Sequence, residues 1–336
     1  MNNKFPRPTP SHLRTSATSQ LRNSATPQLR TTQLTSQFLS LRVQNRRVLH
    51  WIIFIALALT WGSSFILMKR GMEAFSSDQV AALRIFTAFV FLSPLAFKRI
   101  NRGLLKNTAA VAGMGIFGNL IPAFLFTKAE TMISSAMTGM LNSLTPVFTL
   151  LIGLLIFRNK VMWRQALGVI IGLGGAIGLL ALDEKDAAAV MQNSVFIGGA
   201  LVVLATFFYG LSVNIIRSKL GHVNAVTATV FAMCIIGPIA GTYLFTTDFV
   251  HRLQTNPLAL HSLGFVSILA VFGTSLSVIV YNILIREAGA LFAASVTYLM
   301  PVVAMGWGLY DGESVTWMHA VFILVILSGV FLVNKK

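Results

Sequence analysis

Ten apolar runs recur between Trp51 and Val333, and the connections between them are too short to hold a soluble domain. A bilayer core of about 30 Å takes roughly 20 apolar residues in a helix. Ten segments meet that length: 50–68, 79–97, 109–127, 133–157, 164–182, 194–215, 225–246, 263–284, 290–310 and 317–334. With 55% hydrophobic and only 11% charged residues, most of the chain is predicted to face lipid or other helices. A soluble domain carries about 25% charged residues. The expected fold class is therefore an all-α membrane protein.

Charge tests this count. The net charge of +16 resembles a nucleic-acid signal, but its distribution fits membrane topology. With the N-terminus placed in the cytoplasm, Lys98, Arg99, Arg102, Lys106, Arg158, Lys160, Arg164, Arg217, Lys219, Arg286, Lys335 and Lys336 fall inside. Only Lys69, Arg70, Lys128, Lys185 and Arg252 fall outside. Nine of the ten acids also fall outside, Glu287 being the exception. An excess of Lys and Arg near helix ends marks the cytoplasmic side. Ten spans with both termini cytoplasmic preserve the pattern, and adding or dropping one helix scrambles it. No nucleic-acid partner is expected.

Residues 1–47 hold eight Lys or Arg, no acid, and an imperfect repeat (LRTSATSQ, LRNSATPQ, LRTTQLTS). Such a basic N-terminal tail buries too little apolar surface to offset its ordering entropy and is expected to be disordered. An organellar transit peptide or a mis-assigned start are the other readings. The single cysteine, Cys234, excludes an internal disulfide.

The chain also repeats itself. SAMTGMLNSLTPVFTLLIGLLIF in the fourth span matches AGALFAASVTYLMPVVAMGWGLY in the ninth when Pro146 is set on Pro301, an offset of 155 residues. Gly174 then falls on Gly329, while Ser93-Pro94 resembles Gly237-Pro238 and Gly62 resembles Gly210. The expected domains are two five-helix repeats, 50–182 and 194–334. Five spans per half make the topology inverted, an arrangement used by secondary transporters with substrate held between the halves. A central cavity is predicted there.

At these residues the chain resembles the EamA-like branch of the drug/metabolite transporter superfamily. The carrying positions are Trp61-Gly62-Ser63-Ser64-Phe65, Arg84, the small-residue run ending at Pro146, Ser295 through Pro301, and Gly312-Glu313. The resemblance covers 51–335 and implies export or exchange of amino acids, related metabolites or drugs across a bacterial inner membrane. In one respect the chain departs from the pattern: Arg158 stands where the first half would carry the counterpart of Glu313.

The candidate substrate-binding residues are the polar and aromatic groups near mid-span: Trp61, Ser64, Asn119, Asn142, Tyr209, Asn214, Ser275, Thr297 and Tyr298. Pro146 and Pro301 are expected helix kinks. Each proline lacks an N–H and so frees the carbonyl four residues earlier, at Asn142 and Thr297. Interhelical hydrogen bonding and packing kinks are the plainer roles for these residues. Arg84 and Glu130 are the candidates for a charge role. For Arg84, snorkelling to the outer face competes with anion attraction. His319 is expected at the interface, and Gly172, Gly174 and Gly175 at a close helix contact.

No catalytic constellation, metal site or cofactor motif is legible, so no enzyme activity and no cofactor are expected. No acid lies mid-span, which leaves ion coupling to acids at the ends or points to facilitated exchange. An intramembrane enzyme on lipid-like substrates would need clustered His, Asp or Glu. A non-transporting scaffold or sensor would not need matched prolines. The expected partners are a small-molecule substrate and membrane lipids, with the chain a monomer or homodimer.

Overall fold

The computed structural model describes residues 48–99, 106–158, 162–181 and 194–334. The N-terminal tail at 1–47 lies outside them, as do Arg102, Lys160, the acids at 183–186 and the terminal lysines. Every regular element among the described residues is helical. Eight helices are long and apolar enough to cross a membrane. These are α1 (Val48–Gly71), α2 (Ser77–Arg99), α3 (Thr108–Ala129), α4 (Ser135–Leu155), α6 (Ser194–Lys219), α7 (Ala225–Thr246), α8 (Ala259–Ala288) and α9 (Phe292–Tyr310). Two more, α5 (Trp163–Ala181) and α10 (Trp317–Asn334), are apolar but shorter.

Helix ends follow local chemistry. Ser76 and Gln79 form a capping box at the start of α2: the Ser76 N–H donates to Gln79 Oε1 at 3.0 Å, and the Gln79 N–H to Ser76 Oγ at 3.4 Å. Ser134 caps α4 by accepting from the Met137 N–H, and Asn224 caps α7. His319 is buried in the first turn of α10. Its Nδ1 accepts from the Thr316 N–H at 3.1 Å, which satisfies a donor at the entry to α10.

The helices pack in crossed pairs. α2 lies along α7 and α5 along α10. α1 packs on α8 and α9, while α6 packs on α3 and α4. Two glycines mark close approaches between the halves. A Cβ on Gly62 of α1 would sit 2.5 Å from Val303 Cβ of α9, and one on Gly210 of α6 would sit 2.8 Å from Thr149 N of α4. In a bilayer such close backbone contact replaces the hydrophobic drive that lipid removes. Gly172 and Gly175 serve the expected close contact of α5, against Val147 and Ile326; Gly174 faces open space.

Four short segments depart from α geometry. Asn142–Leu144 in α4 and Ser295–Tyr298 in α9 wind as 3₁₀ helix just before Pro146 and Pro301. Ile116–Leu120 in α3 and Leu269–Leu276 in α8 widen into π-helix. The 3₁₀ turns follow from the prolines, which remove the N–H that would bond four residues back. The expected unpaired carbonyl at Asn142 is not found. The tighter turn brings Thr145 close enough for both its N–H and its hydroxyl, at 2.8 Å, to donate to that oxygen.

One end of the bundle is tied by charge. Glu313, between α9 and α10, accepts from Lys69 Nζ of α1 at 2.7 Å, from the Ser135 hydroxyl at 2.8 Å and from the Ala136 N–H at 3.0 Å. It thus caps the start of α4, where the helix dipole favours a carboxylate. Asp311 pairs with Lys69 and Arg70, and Arg70 also pairs with Glu73. Burial alone would push the Glu313 carboxyl up. The Lys69 ammonium, the Ala136 N–H and the Ser135 hydroxyl outweigh it and hold the group below its ordinary value.

Two predictions follow from this packing and this charge. A lowered folded value means stability is full above the unfolded carboxyl value, about 4.3, and is lost as pH falls through the folded one. Wild-type protein in detergent is therefore expected to lose thermal stability between about pH 5 and 3. Glu313→Gln should lower stability by about 2 kcal/mol at neutral pH and flatten that acid limb. An equally steep limb in the variant would show that Glu313 does not carry it. Gly210→Val should cost about 1–3 kcal/mol by forcing α6 off α4. Gly174→Ala, with room for a Cβ, should leave the melting temperature unchanged or raise it.

Candidate functional site

The two 3₁₀ turns pack against each other, with α5, α6 and α10 against them, and residues of α1, α2, α3, α6 and α8 face a common space with them. Between these elements lies a cavity of about 800 Å³, counting its open mouth. The irregular backbone borders it. Asn142 and Thr145 reach it from the first 3₁₀ turn, Thr297 and Met300 from the second, Gly118 and Asn119 from the α3 π segment, and Gly273 from the α8 π segment.

The α8 π segment positions two further residues. Trp61 donates its indole N–H to the Gly273 carbonyl at 2.7 Å, and its ring meets Tyr281 edge-on at 4.8 Å. Arg84 of α2 donates Nε–H to Thr274 Oγ1 at 2.7 Å. π-bulges release backbone groups inside helices and gather at functional sites. Here a carbonyl of the π segment also accepts from a side chain and fixes an aromatic wall.

Six of the nine sequence-selected polar and aromatic candidates line the cavity: Trp61, Ser64, Asn119, Asn142, Tyr209 and Thr297. Three lie outside it. Asn214 donates to the carbonyls of Thr149 and Gly210, bonding α6 to α4. Ser275 donates to Ala88 and Ala270 carbonyls. The Tyr298 hydroxyl donates to Val330 O of α10 at 2.9 Å. Four polar lining groups, Thr145, Ser212, Tyr281 and Asn282, escape the sequence reading. Asn282 had a legible signal, an amide within an apolar run. Its Nδ2 donates to Thr229 Oγ1 at 2.8 Å, while its buried Oδ1 has no protein partner.

Arg84 does not snorkel. It is buried at 9% exposure and, among the described residues, is the only Lys, Arg, Asp or Glu lining the cavity. Besides Thr274, its Nη1 reaches Met68 Sδ at 3.8 Å, a weak acceptor, and Tyr209 lies beside it. No carboxylate of the described residues forms an ion pair with it. Glu130, which ends α3, has both carboxylate oxygens buried without a hydrogen-bond partner. Among the described residues no cluster of His, Cys, Asp or Glu could hold a metal ion. The rest of the lining is apolar, with Phe65, Met68, Met114, Phe126 and Met300 prominent. A concave, mostly apolar space with a few convergent polar groups is the general form of a small-molecule site.

Known proteins share this architecture. A solved crystal structure superposes with a TM-score of 0.58 over 85% of this chain and 97% of its own, at 15% identity, which establishes likeness of fold. An uncharacterized transporter of Archaeoglobus fulgidus is 25% identical over 85% of this chain and 99% of its own length. The uncharacterized inner membrane transporter YedA of Escherichia coli is 28% identical over 83% and 88%. Protein PagO of Salmonella typhimurium is 23% identical over 85% and 93%. The profile of the EamA-like transporter family matches residues 49–181 and 196–335. With nearly all of the helical region matched, the chain belongs to the EamA-like transporter family.

Proposed function

We propose that this membrane protein is a secondary transporter that moves small metabolites by alternating access between two inverted five-helix halves, α1–α5 and α6–α10. The observation that carries the reading is the cavity walled by the paired 3₁₀ turns. In such a transporter, substrate lies where discontinuous helices of the two halves meet. Three features support the inverted repeat. Each half's first helix packs on the third and fourth helices of the other half. Gly62 and Gly210 make reciprocal contacts just past Pro301 and Pro146. The π segments also recur, with Gly118 and Gly273 of the lining separated by the same 155 residues as the prolines.

On this reading α5 and α10 also span the bilayer, giving ten spans. The Lys and Arg excess supports a cytoplasmic placement of both termini. The ionic end of the bundle then faces outward, and Lys69, Asp311 and Glu313 tie α1, α4 and the α9–α10 connection across it. Opening the cavity to the outside requires those bonds to break. The substrate is an amino acid or related metabolite, with export or exchange as the direction. Nothing in the cavity lining resembles the clustered acids and histidines that chemistry on a lipid would need.

Purified protein in proteoliposomes is expected to transport at least one of a broad panel of radiolabelled metabolites; no transport of any, by folded protein, overturns the proposal. Asn142→Ala and Thr297→Ala are each expected to weaken binding of the transported compound about 5–10-fold, the scale of one lost hydrogen bond. Their expression and melting temperature should stay near wild type. Wild-type affinity in both variants would move the site away from the 3₁₀ turns.

A further inference from the structure

A guanidinium in a largely apolar cavity needs a counter-charge. Arg84 carries five N–H donors in a planar fork that matches a carboxylate. The protein engages it through a hydroxyl, a thioether sulfur and the neighbouring Tyr209, and no acid of the described residues pairs with it. Holding an unpaired cation out of water is costly, and the cavity is the direction from which an anion can reach this one. Its other walls include Trp61, Phe65, Phe126 and Tyr281. They suit an apolar body and offer no second cation to a polyanion.

Glu130 supplies the second observation. Its carboxylate oxygens are buried and unpartnered. The charged groups that act on it are Glu313 from the α9–α10 connection, Arg84 from α2 and Lys69 from α1. Lys69 and Glu313 already pair with each other at 2.7 Å, so Arg84 is the free positive charge that acts on it. An anion arriving at Arg84 therefore competes with Glu130 for a single buried cation. Two negative charges sharing one site in low dielectric cannot both stay ionised cheaply.

We propose that the cavity takes a small apolar monocarboxylate on the Arg84 guanidinium, and that Glu130 binds a proton as this anion enters. The buried charge then stays balanced with and without ligand. Each carboxylate is accompanied by one proton, and by reciprocity a lower pH tightens carboxylate binding. This assignment rests on the transporter reading for its biological use, but binding itself is measurable without transport.

The test is calorimetric titration of the full-length protein in detergent with hexanoate, benzoate and indole-3-acetate, each beside its neutral amide. Bis-Tris and Tris buffers, both cationic, differ in ionisation enthalpy and so report protons exchanged. At least one carboxylate is expected to bind roughly tenfold or more tightly than its amide, with close to one proton taken up. Arg84→Gln should abolish the preference, and Arg84→Lys should keep part of it. Glu130→Gln should remove the proton uptake and the pH dependence of carboxylate affinity. Thermal unfolding of each variant separates these effects from misfolding. Equal affinity for acid and amide, or a preference that survives Arg84→Gln, overturns the anion site. Full proton uptake in Glu130→Gln overturns the proton site. No binding of any of the three carboxylates up to about 10 mM overturns the proposal, whereas transport of other metabolites by that same protein would leave the transporter reading standing.

Discussion

A peptide group in hydrocarbon has no water to bond, and each unsatisfied N–H or C=O there costs several kcal/mol. That constraint makes every regular element helical. It also makes each departure from α geometry informative, because irregular backbone at membrane depth must be sheltered by protein or by a cavity. The four irregular segments all border the cavity at the centre of the bundle. Their released groups find partners. Thr145 satisfies Asn142, and the indole of Trp61 satisfies Gly273. The fold tolerates broken helices only where it is hollow, so the site and the breaks have one cause.

Charge obeys a second constraint of the same kind. The acids Asp311 and Glu313 are nearly buried, yet each meets Lys69, and Glu313 also meets the open N-terminus of α4. Arg84 and Glu130 break that rule: the guanidinium and the carboxylate oxygens are buried, and neither group forms an ion pair among the described residues. Fully paired groups hold one end of the bundle together, whereas unpaired ones retain the capacity to bind. The structural and the ligand-facing charges of this protein are separated by whether the protein has already neutralised them.

Much of the fold was legible because bilayer thickness and helical rise leave few choices. The helix boundaries fall within a few residues of the apolar runs, and the glycine pairs mark real backbone contacts at Gly62 and Gly210. The site was legible in part. Polarity within an apolar run identifies Asn119, Asn142 and Thr297, but it cannot tell which side of its helix a residue faces. Asn214 and Ser275 are as polar as the lining residues, yet bond helix to helix. For Ser275 the reason lies in the π segment of α8, whereas Asn214 sits on a regular helix and faces α4. Widening a helix shifts the phase of every side chain beyond it, so a periodicity of 3.6 misplaces the residues that follow. For Arg84 the sequence leaves more than one role open. Sequence depth suggested an escape to the surface, but the π segment of α8 brings the Thr274 hydroxyl beside it and holds the guanidinium inward.

The cavity is asymmetric although the backbone around it nearly repeats. Glu313 has no acidic counterpart in the first half, where Arg158 stands and takes a left-handed conformation at φ 54°. Arg84 likewise belongs to one half only. A symmetric frame makes two conformations similar in energy, but symmetric charges would make them equivalent in function as well. On the proposed alternating-access reading, the ionic tie at one end and the buried Arg84 guanidinium would give the two states different electrostatics on the same scaffold. Direction and coupling would then be set by a handful of charged side chains, while the helices supply only the ability to switch.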